Sequence, residues 1–436
     1  MTERVVNVGV LGCGNVGAAL VALVDARREE IANRTGIDLH VARVAVRSLT
    51  RQRPIHLDDH VLTRDAALVV ADPSIDVIVE VIGGIEPARE LILDALGNAK
   101  PVVTANKELL ANHGAELYSA ASAAEVDLLF EAAVAGGIPI LRPLRESLVG
   151  EDVRRIMGIV NGTTNFILTR MSEDGTDYAS ALTEAQQLGF AERDPTADVE
   201  GFDAGAKAAI LASIAFGAKV VAGDVYHEGI SAITATDIAF AHRLGYVVKL
   251  LAVAELVSVA DGPDEVAVRV HPAMVPVTHP LAGVRESFNA VFVEGASVGD
   301  LMFYGRGAGG GPTASAVLGD LVDAAVNLEK KTHASLPALA RRPIRPIDEL
   351  HSSYYVNLDV VDRPGVLRAV AEVFERHDVS IRSLEQEGVG LDARLIFITH
   401  QAREADVQAT LEDLRTLDVI HNVTSVLRVV GDDVSA

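Results

Sequence analysis

Arg4-Val-Val-Asn-Val-Gly-Val-Leu-Gly12-Cys-Gly14-Asn-Val-Gly17 is the stretch that decides the fold. Residues 4–11 form an apolar, Val-rich run that reads as a strand, and Ala18–Arg28 has helical character. Between them stands Gly-x-Gly-x-x-Gly. In that order Gly12 permits the tight turn, Gly14 lets a pyrophosphate approach the backbone, and Gly17 lets helix and strand pack closely. The helix N-terminus, at Asn15 and Val16, then faces the phosphates. Glycines that serve only a turn are the plain alternative, but the strand–helix context favours a dinucleotide site. Cys13 reads as a small residue in a tight place rather than a nucleophile.

Working outward, a second strand over Leu39–Val46 ends in Arg47, with Arg51 and Arg53 close behind. An acid here would hold a ribose 2′-hydroxyl, whereas arginines suit a 2′-phosphate. NADP is therefore the expected cofactor, with NAD as the alternative. Asp76–Val81 reads as a buried strand ending in Gly83-Gly84, and Pro101–Thr104 as another ending in Ala105-Asn106-Lys107. Ligands sit outside the carboxyl ends of strands in an open parallel sheet, so Lys107 is placed to reach cofactor or substrate. A lysine in a first helical turn opposes the helix dipole, which favours a functional reason over simple solvation. A further strand, Asp127–Phe130, leads into Glu131 and the bent segment through Val134, Gly136 and Ile138. One carboxylate and several backbone oxygens could serve a hard cation there, but by spacing alone this signal is weak and a plain domain-crossing turn is the better reading.

Asn161-Gly-Thr163-Thr-Asn165 is a turn cluster suited to helix capping or to holding a small polar ligand. Beyond it, residues 189–207 concentrate Glu192, Asp194, Asp198, Glu200 and Asp203 around Arg193, and close on Lys207. Asp203 and Lys207 are four apart and share one helix face. The apolar run after Lys207 marks a buried helix with one charged end. A lysine so placed is a candidate proton donor, because carboxylates hold it while burial lowers its pKa. A surface ion pair is the bland alternative. The apolar helical stretch is expected to continue to about residue 256, followed by an alternating strand over Glu265–His271. Gly305 to Thr313, rich in glycine, leads into an apolar helix over Ala314–Leu328 and could meet the cofactor from its other side. Residues 331–350, with their Pro and Arg, read as a linker.

The tail reads as a βαββαβ unit. Its strands are expected at 354–360, 379–387, 392–399 and 420–429, and its helices near 365–377 and 403–416. Pro364 stands at the expected start of the first helix. The unit carries no nucleophile or acid/base pair, so a binding or regulatory role is the economical reading.

A chain of 436 residues holds two to four domains, and 49% hydrophobic content provides real cores. A net charge of −23 argues against nucleic acid and against anionic membranes as partners. The single cysteine leaves no intrachain disulfide and no Cys-based metal site, which fits a reducing, cytoplasmic setting. The N-terminus reads as a strand rather than a signal peptide, and no apolar run is long enough for a transmembrane helix.

Four stretches then carry a resemblance: Gly12–Gly17, Thr104–Lys107, Asn161–Asn165 and, most specific, Glu192-Arg-Asp-Pro-Thr-Ala-Asp-Val-Glu-Gly-Phe-Asp203-Ala-Gly-Ala-Lys207. Over essentially its whole length the sequence resembles homoserine dehydrogenase, and residues 354–429 look like an ACT domain. With no kinase-sized segment before residue 4, it looks like the monofunctional form. The fold implied is α/β. It comprises a Rossmann-type dinucleotide-binding domain (1–139 plus about 305–330), an α+β substrate-binding and dimerisation domain (140–304), the linker, and an ACT domain (351–431).

The resemblance implies NAD(P)-dependent interconversion of L-homoserine and L-aspartate 4-semialdehyde. It makes Lys207 the proton donor/acceptor, puts Lys107 near cofactor and substrate, and gives substrate binding to Glu192 and Asp203, with Asp198 and Thr163 beside them. Gly189 and Gly309 match cofactor-contacting positions. Glu131, Val134, Gly136 and Ile138 match a site for a monovalent cation such as sodium. An L-threonine effector acting through the ACT domain and a homodimer or homotetramer are also implied. Phe190 stands where some members have Tyr, so a substrate hydrogen bond from that hydroxyl is absent. Two other readings stay open: another ACT-bearing nicotinamide dehydrogenase acting on a 2-hydroxy acid or prephenate, and a non-catalytic nucleotide or amino-acid sensor.

Overall fold

The computed structural model describes residues 4–431, apart from 261, 335, 337–338 and 389–392. The chain begins with β1 (Arg4–Leu11), α1 (Asn15–Thr35), β2 (Ile37–Ala45), β3 (Leu62–Thr63), α2 (Ala66–Ala71) and β4 (Val77–Glu80). It continues with α3 (Ala88–Gly97), β5 (Val102–Thr104), α4 (Lys107–Ala124), β6 (Leu128–Leu129) and β7 (Val153–Ile159). Next come α5 (Gly162–Glu173), α6 (Tyr178–Gln187), α7 (Thr196–Val199), α8 (Phe202–Phe216), β8 (Tyr226–His227) and α9 (Ala235–Arg243). Then follow β9 (Tyr246–Val257), β10 (Glu265–Pro276), β11 (Phe288–Gly295), β12 (Gly299–Arg306) and α10 (Gly310–Lys330). The tail holds β13 (His351–Val360), α11 (Val366–Arg376), β14 (Ile381–Glu387), β15 (Arg394–Thr399), β16 (Ala402–Arg403), α12 (Glu404–Arg415) and β17 (Ile420–Val429).

Contacts divide the chain into two compact units that both interrupt the sequence. The first holds residues 1–160, 206–225 and 288–342. Its parallel sheet runs β3-β2-β1-β4-β5-β6. Val6, Val8 and Val10 of β1 pack with Leu20 and Val24 of α1 and with Ala314, Val317 and Leu321 of α10. On the other face a side chain at Gly9 would meet Val69 of α2 at 2.6 Å, so the central strand is sandwiched between helices. This is the doubly wound arrangement that strand–helix alternation dictates. An antiparallel trio, β12-β11-β7, completes the unit.

The second unit holds residues 161–205, 226–287 and 343–436. The long hairpin β9–β10 is joined by β17 pairing parallel to β10, and the order continues β17-β13-β15-β14. This last part is the expected ACT-like unit. Its core comes from alternate residues of β13 (Tyr354, Val356, Leu358, Val360) closed by Val370 and Phe374 of α11 and Val407 and Leu411 of α12. The expected first residue of the third tail strand, 392, lies outside the described residues. Among the described residues no helix is long and apolar enough to cross a membrane.

The structure differs from five local readings. The apolar stretch to residue 256 is not one helix. Helix α8 stops at Phe216 before Gly217 at φ 56°, α9 stops before Gly245 at φ 83°, and β9 follows. Residues 248–254 of β9 are buried on both faces, which erases the alternation that betrays a strand. Strand β10 likewise runs past His271 to Pro276 with both faces covered. Helix α10 starts at Gly310, four residues earlier than expected, with Pro312 inside its first turn, where its missing N–H costs nothing. Pro364 lies before the helix rather than at its start, because Gly365 caps α11 in the left-handed region at φ 93°. Segment 331–350 is not free chain at its described residues. Ala340 bridges to Ala218 in the first unit, and Ile344 to Val266 in the second.

Candidate active site

The dinucleotide end of the first unit is shaped by what its glycines exclude. Gly12 sits at φ 104°, and a Cβ there would stand 2.7 Å from the Val81 carbonyl oxygen. A Cβ at Gly17 would stand 2.2 Å from the Gly12 carbonyl oxygen. Above Gly14 nothing lies within 4 Å. Two positions are thus closed by backbone and the middle one is left open, which is the cradle a pyrophosphate requires. Helix α1 begins here with no side-chain cap and no acid in its first turn, and so does α10 at Gly309, φ 112°. A Cβ at Gly310 would lie 3.2 Å from the Asn15 carbonyl. Two uncapped N-termini therefore meet at one place, and both dipoles favour an anion there. The residues present fit a nicotinamide dinucleotide.

Arg47 is exposed just beyond β2. Arg53 instead turns inward, donating to the carbonyls of Ser48 and Arg51. Burial pushes the Cys13 thiol up, with Arg53 beside it opposing, which agrees with a small filler residue.

Glu80, which the sequence reading passed over, ends β4 and is fully buried. Its carboxylate accepts from Thr104 Oγ1 at 2.6 Å and from the amides of Ile82 and Gly83 at 2.7 and 3.1 Å. Asn106 donates to the Gly84 carbonyl at 2.6 Å and caps α4 by accepting from Leu109 N. This web ties the carboxyl ends of β4 and β5 together and sets Lys107, half-buried, as the first residue of α4. The signal was a lone acid in the run Val-Ile-Val-Glu80.

Glu131 is buried, and its carboxylate accepts from the amides of Ile140, Leu141 and Arg142 at 2.5, 2.7 and 2.7 Å. Its own amide donates to Asp320 at 2.7 Å, and desolvation pushes that second carboxyl up to about 7. Val134, Gly136 and Ile138 follow on the same buried turn, with Gly136 at φ 54° pressed against the Gly307 carbonyl. Among the described residues their carbonyls accept no main-chain hydrogen bond outside regular elements. Three buried oxygens of that kind fit a hard cation, while Glu131 already serves three amides.

In the second unit, Asn161 caps α5, and its Nδ2 donates to Asp198 Oδ1 at 2.7 Å and to Asp203 Oδ2 at 2.9 Å. Thr163 is buried and donates its hydroxyl proton to the Phe190 carbonyl at 2.7 Å. Toward a ligand it can therefore only accept. Phe190 is 41% exposed and tilts against Phe166, and Gly189 at φ 77° has open space around it. Of the five acids, Asp194 is spent on the turn at Thr196, whose N–H and O–H hold its carboxyl below the usual range. Glu200 accepts from Ser231. Glu192 is exposed, and its main-chain carbonyl accepts from Gln186 Nε2 at 3.1 Å. The structure thus brings Asp198 and Asp203 together. Helix α8 carries Asp203 and, one turn on, Lys207, which is buried and donates from Nζ to the Val160 carbonyl at 2.6 Å.

Three family models match the chain. Residues 12–131 match the homoserine dehydrogenase NAD-binding domain, 139–322 match homoserine dehydrogenase, and 354–419 match the ACT domain. A homoserine dehydrogenase of Corynebacterium glutamicum is 49% identical, with 98% of this chain and 96% of the relative covered. The chain belongs to the homoserine dehydrogenase family. It is an α/β oxidoreductase of that family, with nicotinamide-nucleotide, catalytic and ACT domains. The solved homoserine dehydrogenase of Thiobacillus denitrificans superposes with a TM-score of 0.90 at 40% identity, covering 98% of both chains. A hyperthermophilic archaeal homoserine dehydrogenase mutant, solved in complex with NADPH, superposes at 0.61 and 29% identity over 74% of this chain and 98% of its own.

Proposed function

We propose that the chain interconverts L-homoserine and L-aspartate 4-semialdehyde with NADP, and that Lys207 exchanges the proton. The observation that carries this reading is Lys207 itself: a buried ammonium, fixed by the Val160 carbonyl, at the head of an apolar helix. The nicotinamide supplies or accepts the hydride. When the aldehyde is reduced, the carbonyl π electrons move to oxygen, and the Lys207 ammonium stabilises that charge and gives its proton. In oxidation the neutral amine takes the hydroxyl proton. Asp198 and Asp203 receive the substrate's ammonium, with Glu192 at the rim, and Thr163 fixes the Gly189–Phe190 turn. Lys107 bridges cofactor and substrate. Gly309 joins Gly12–Gly17 at the phosphates.

Arg47 beyond β2, with no acid at that strand end, supports NADP over NAD, and the archaeal relative's NADPH agrees. The carbonyls of Val134, Gly136 and Ile138, with Glu131, take a sodium ion. The ACT domain binds L-threonine as a feedback effector, placing the enzyme in threonine and methionine biosynthesis. Exposed Met302 and Tyr304 on edge strand β12 support a homodimer or homotetramer.

The test follows absorbance at the reduced-nicotinamide band with L-homoserine, in parallel with NADP and NAD. Turnover preferring NADP supports the reaction and the role of Arg47. Preference for NAD keeps the reaction and discards the arginine argument. No turnover in protein that binds cofactor removes the proposal.

A further inference from the structure

Glu80 is fully buried, and every hydrogen bond it makes through its carboxylate is one it accepts. Its Oε1 takes the amides of Ile82 and Gly83 at 2.7 and 3.1 Å, and its Oε2 takes the Thr104 hydroxyl at 2.6 Å. Thr104 Oγ1 accepts in turn from the Asn106 amide at 3.0 Å. In a trans peptide the carbonyl points opposite to the N–H. Drawing the Ile82 and Gly83 amides inward onto Glu80 therefore turns the Val81 and Ile82 carbonyls the other way. The Val81 carbonyl oxygen stands on the side of Gly12, 2.7 Å from where a Cβ on that glycine would lie. Among the described residues these two carbonyls accept no main-chain hydrogen bond outside regular elements. Gly83 and Gly84 follow at φ 81° and 75°, and a Cβ on either would meet nothing within 4 Å. The turn is held from beneath and open above.

Two neighbouring stretches of backbone thus offer opposite chemistry. The uncapped starts of α1 and α10 present N–H groups, which suit phosphate. After β4 the N–H groups are spent on Glu80 and the backbone presents oxygens. Those repel phosphate and suit a ligand that brings hydroxyl or amide donors. The sheet order puts this turn on the far side of β1 from β2. In a doubly wound sheet the adenosine ribose is held at the end of β2, so β4 and β5 serve the other mononucleotide. In a nicotinamide dinucleotide that other half carries ribose hydroxyls and a carboxamide N–H.

We infer that Glu80 is a positioning residue for the nicotinamide half of the cofactor: by drawing two amides inward it makes the end of β4 an acceptor site for that half's hydroxyl and carboxamide donors. The inference rests on the nicotinamide-binding fold alone. It is independent of the choice between NADP and NAD, of Lys207 and of the substrate.

The experiment titrates NADPH, and 2′,5′-ADP as its adenosine half, into the parent protein and into Glu80→Leu, Glu80→Gln and Thr104→Val, with melting temperatures measured alongside. NADH and ADP take their place if the parent binds that pair better. Leucine keeps the bulk and removes the acceptor, which releases both amides. Glu80→Leu is expected to weaken NADPH on the order of tenfold, the loss of roughly one hydrogen bond, while 2′,5′-ADP stays within about twofold. Glutamine keeps an oxygen for the two amides and donates to Thr104 Oγ1, so Glu80→Gln should hold NADPH to within about threefold of the parent. Thr104→Val cuts the anchor of the carboxylate without touching the turn. It should show the same split in smaller measure, and it decides the question if Glu80→Leu does not fold. A loss shared equally by NADPH and 2′,5′-ADP overturns the inference, as does a parental NADPH affinity in Glu80→Leu or, failing that variant, in Thr104→Val. A parent that binds neither nucleotide pair overturns the cofactor assignment, and this inference with it.

Discussion

Arg428 Nη1 lies 2.6 Å from Glu228 Oε2, so the last strand of the ACT domain is bonded to the turn that follows β8. The same guanidinium reaches Glu404 at 2.9 and 3.0 Å, and Tyr354 donates to that carboxylate at 2.5 Å. Arg428 and Glu404 are both buried. Removing the cation leaves an unpaired buried carboxylate, so Arg428→Met is expected to cost about 3–5 kcal/mol of stability. Urea unfolding checks this. The double variant Arg428→Met/Glu404→Gln should recover part of the loss, since no buried charge is then stranded.

Lys249 carries a pH signature. Desolvation lowers its pKa from 10.5 to about 8 in the folded protein. Between those values the unfolded chain holds the proton and the folded chain does not, so stability rises with pH. Above about 10.5 the lysine is neutral in both states, and below about 8 it is charged in both, with burial opposing the folded form. The stability difference between the parent protein and Lys249→Met should therefore grow by roughly 3 kcal/mol from pH 8 to 10.5. Melting curves across that range decide it; a flat difference would mean the lysine titrates normally.

Gly14 and Gly17 should fail in different ways. Gly17→Ala drives a methyl into the Gly12 carbonyl and is expected to cost about 1–3 kcal/mol while abolishing cofactor binding. Gly14→Ala meets no protein atom, so the melting temperature should stay while the methyl occupies the phosphate's place. Cofactor titration with thermal melting separates the two.

Lys207→Ala should leave cofactor affinity nearly intact and lower kcat roughly 100- to 10,000-fold, the range for removal of a general acid/base. Single-turnover absorbance reads it directly. An active variant would move the proton to another group.

What was legible in the sequence depended on how local each cause is. Gly12, Gly14 and Gly17 are readable because their spacing falls within one strand–turn–helix segment, although the backbone that closes Gly12 is that of Val81. The ACT strands are readable because β13 alternates Tyr354, Val356, Leu358 and Val360 with the more polar Tyr355, Asn357 and Asp359, even though both its faces are buried over residues 353–358. Strand β9 hides because both its faces are covered, and an apolar run without alternation reads as helix. The acidic stretch announced itself, yet which acids pair is decided by Asn161, 37 residues before Asp198 and 42 before Asp203. No spacing rule reaches that far. Glu80 hides for the same reason, since its partner Thr104 comes from the next strand.

The parallel pairing of Ala273 with Arg428 and Met274 with Val429 makes the ACT module part of a continuous sheet rather than a bead on a string. Cutting the chain before the tail would uncover the side of β10 that β17 occupies. A bare sheet edge recruits other strands. Proteolytic loss of the ACT tail would therefore yield self-associating protein. Any lineage that discards the tail has to redesign this edge at the same time.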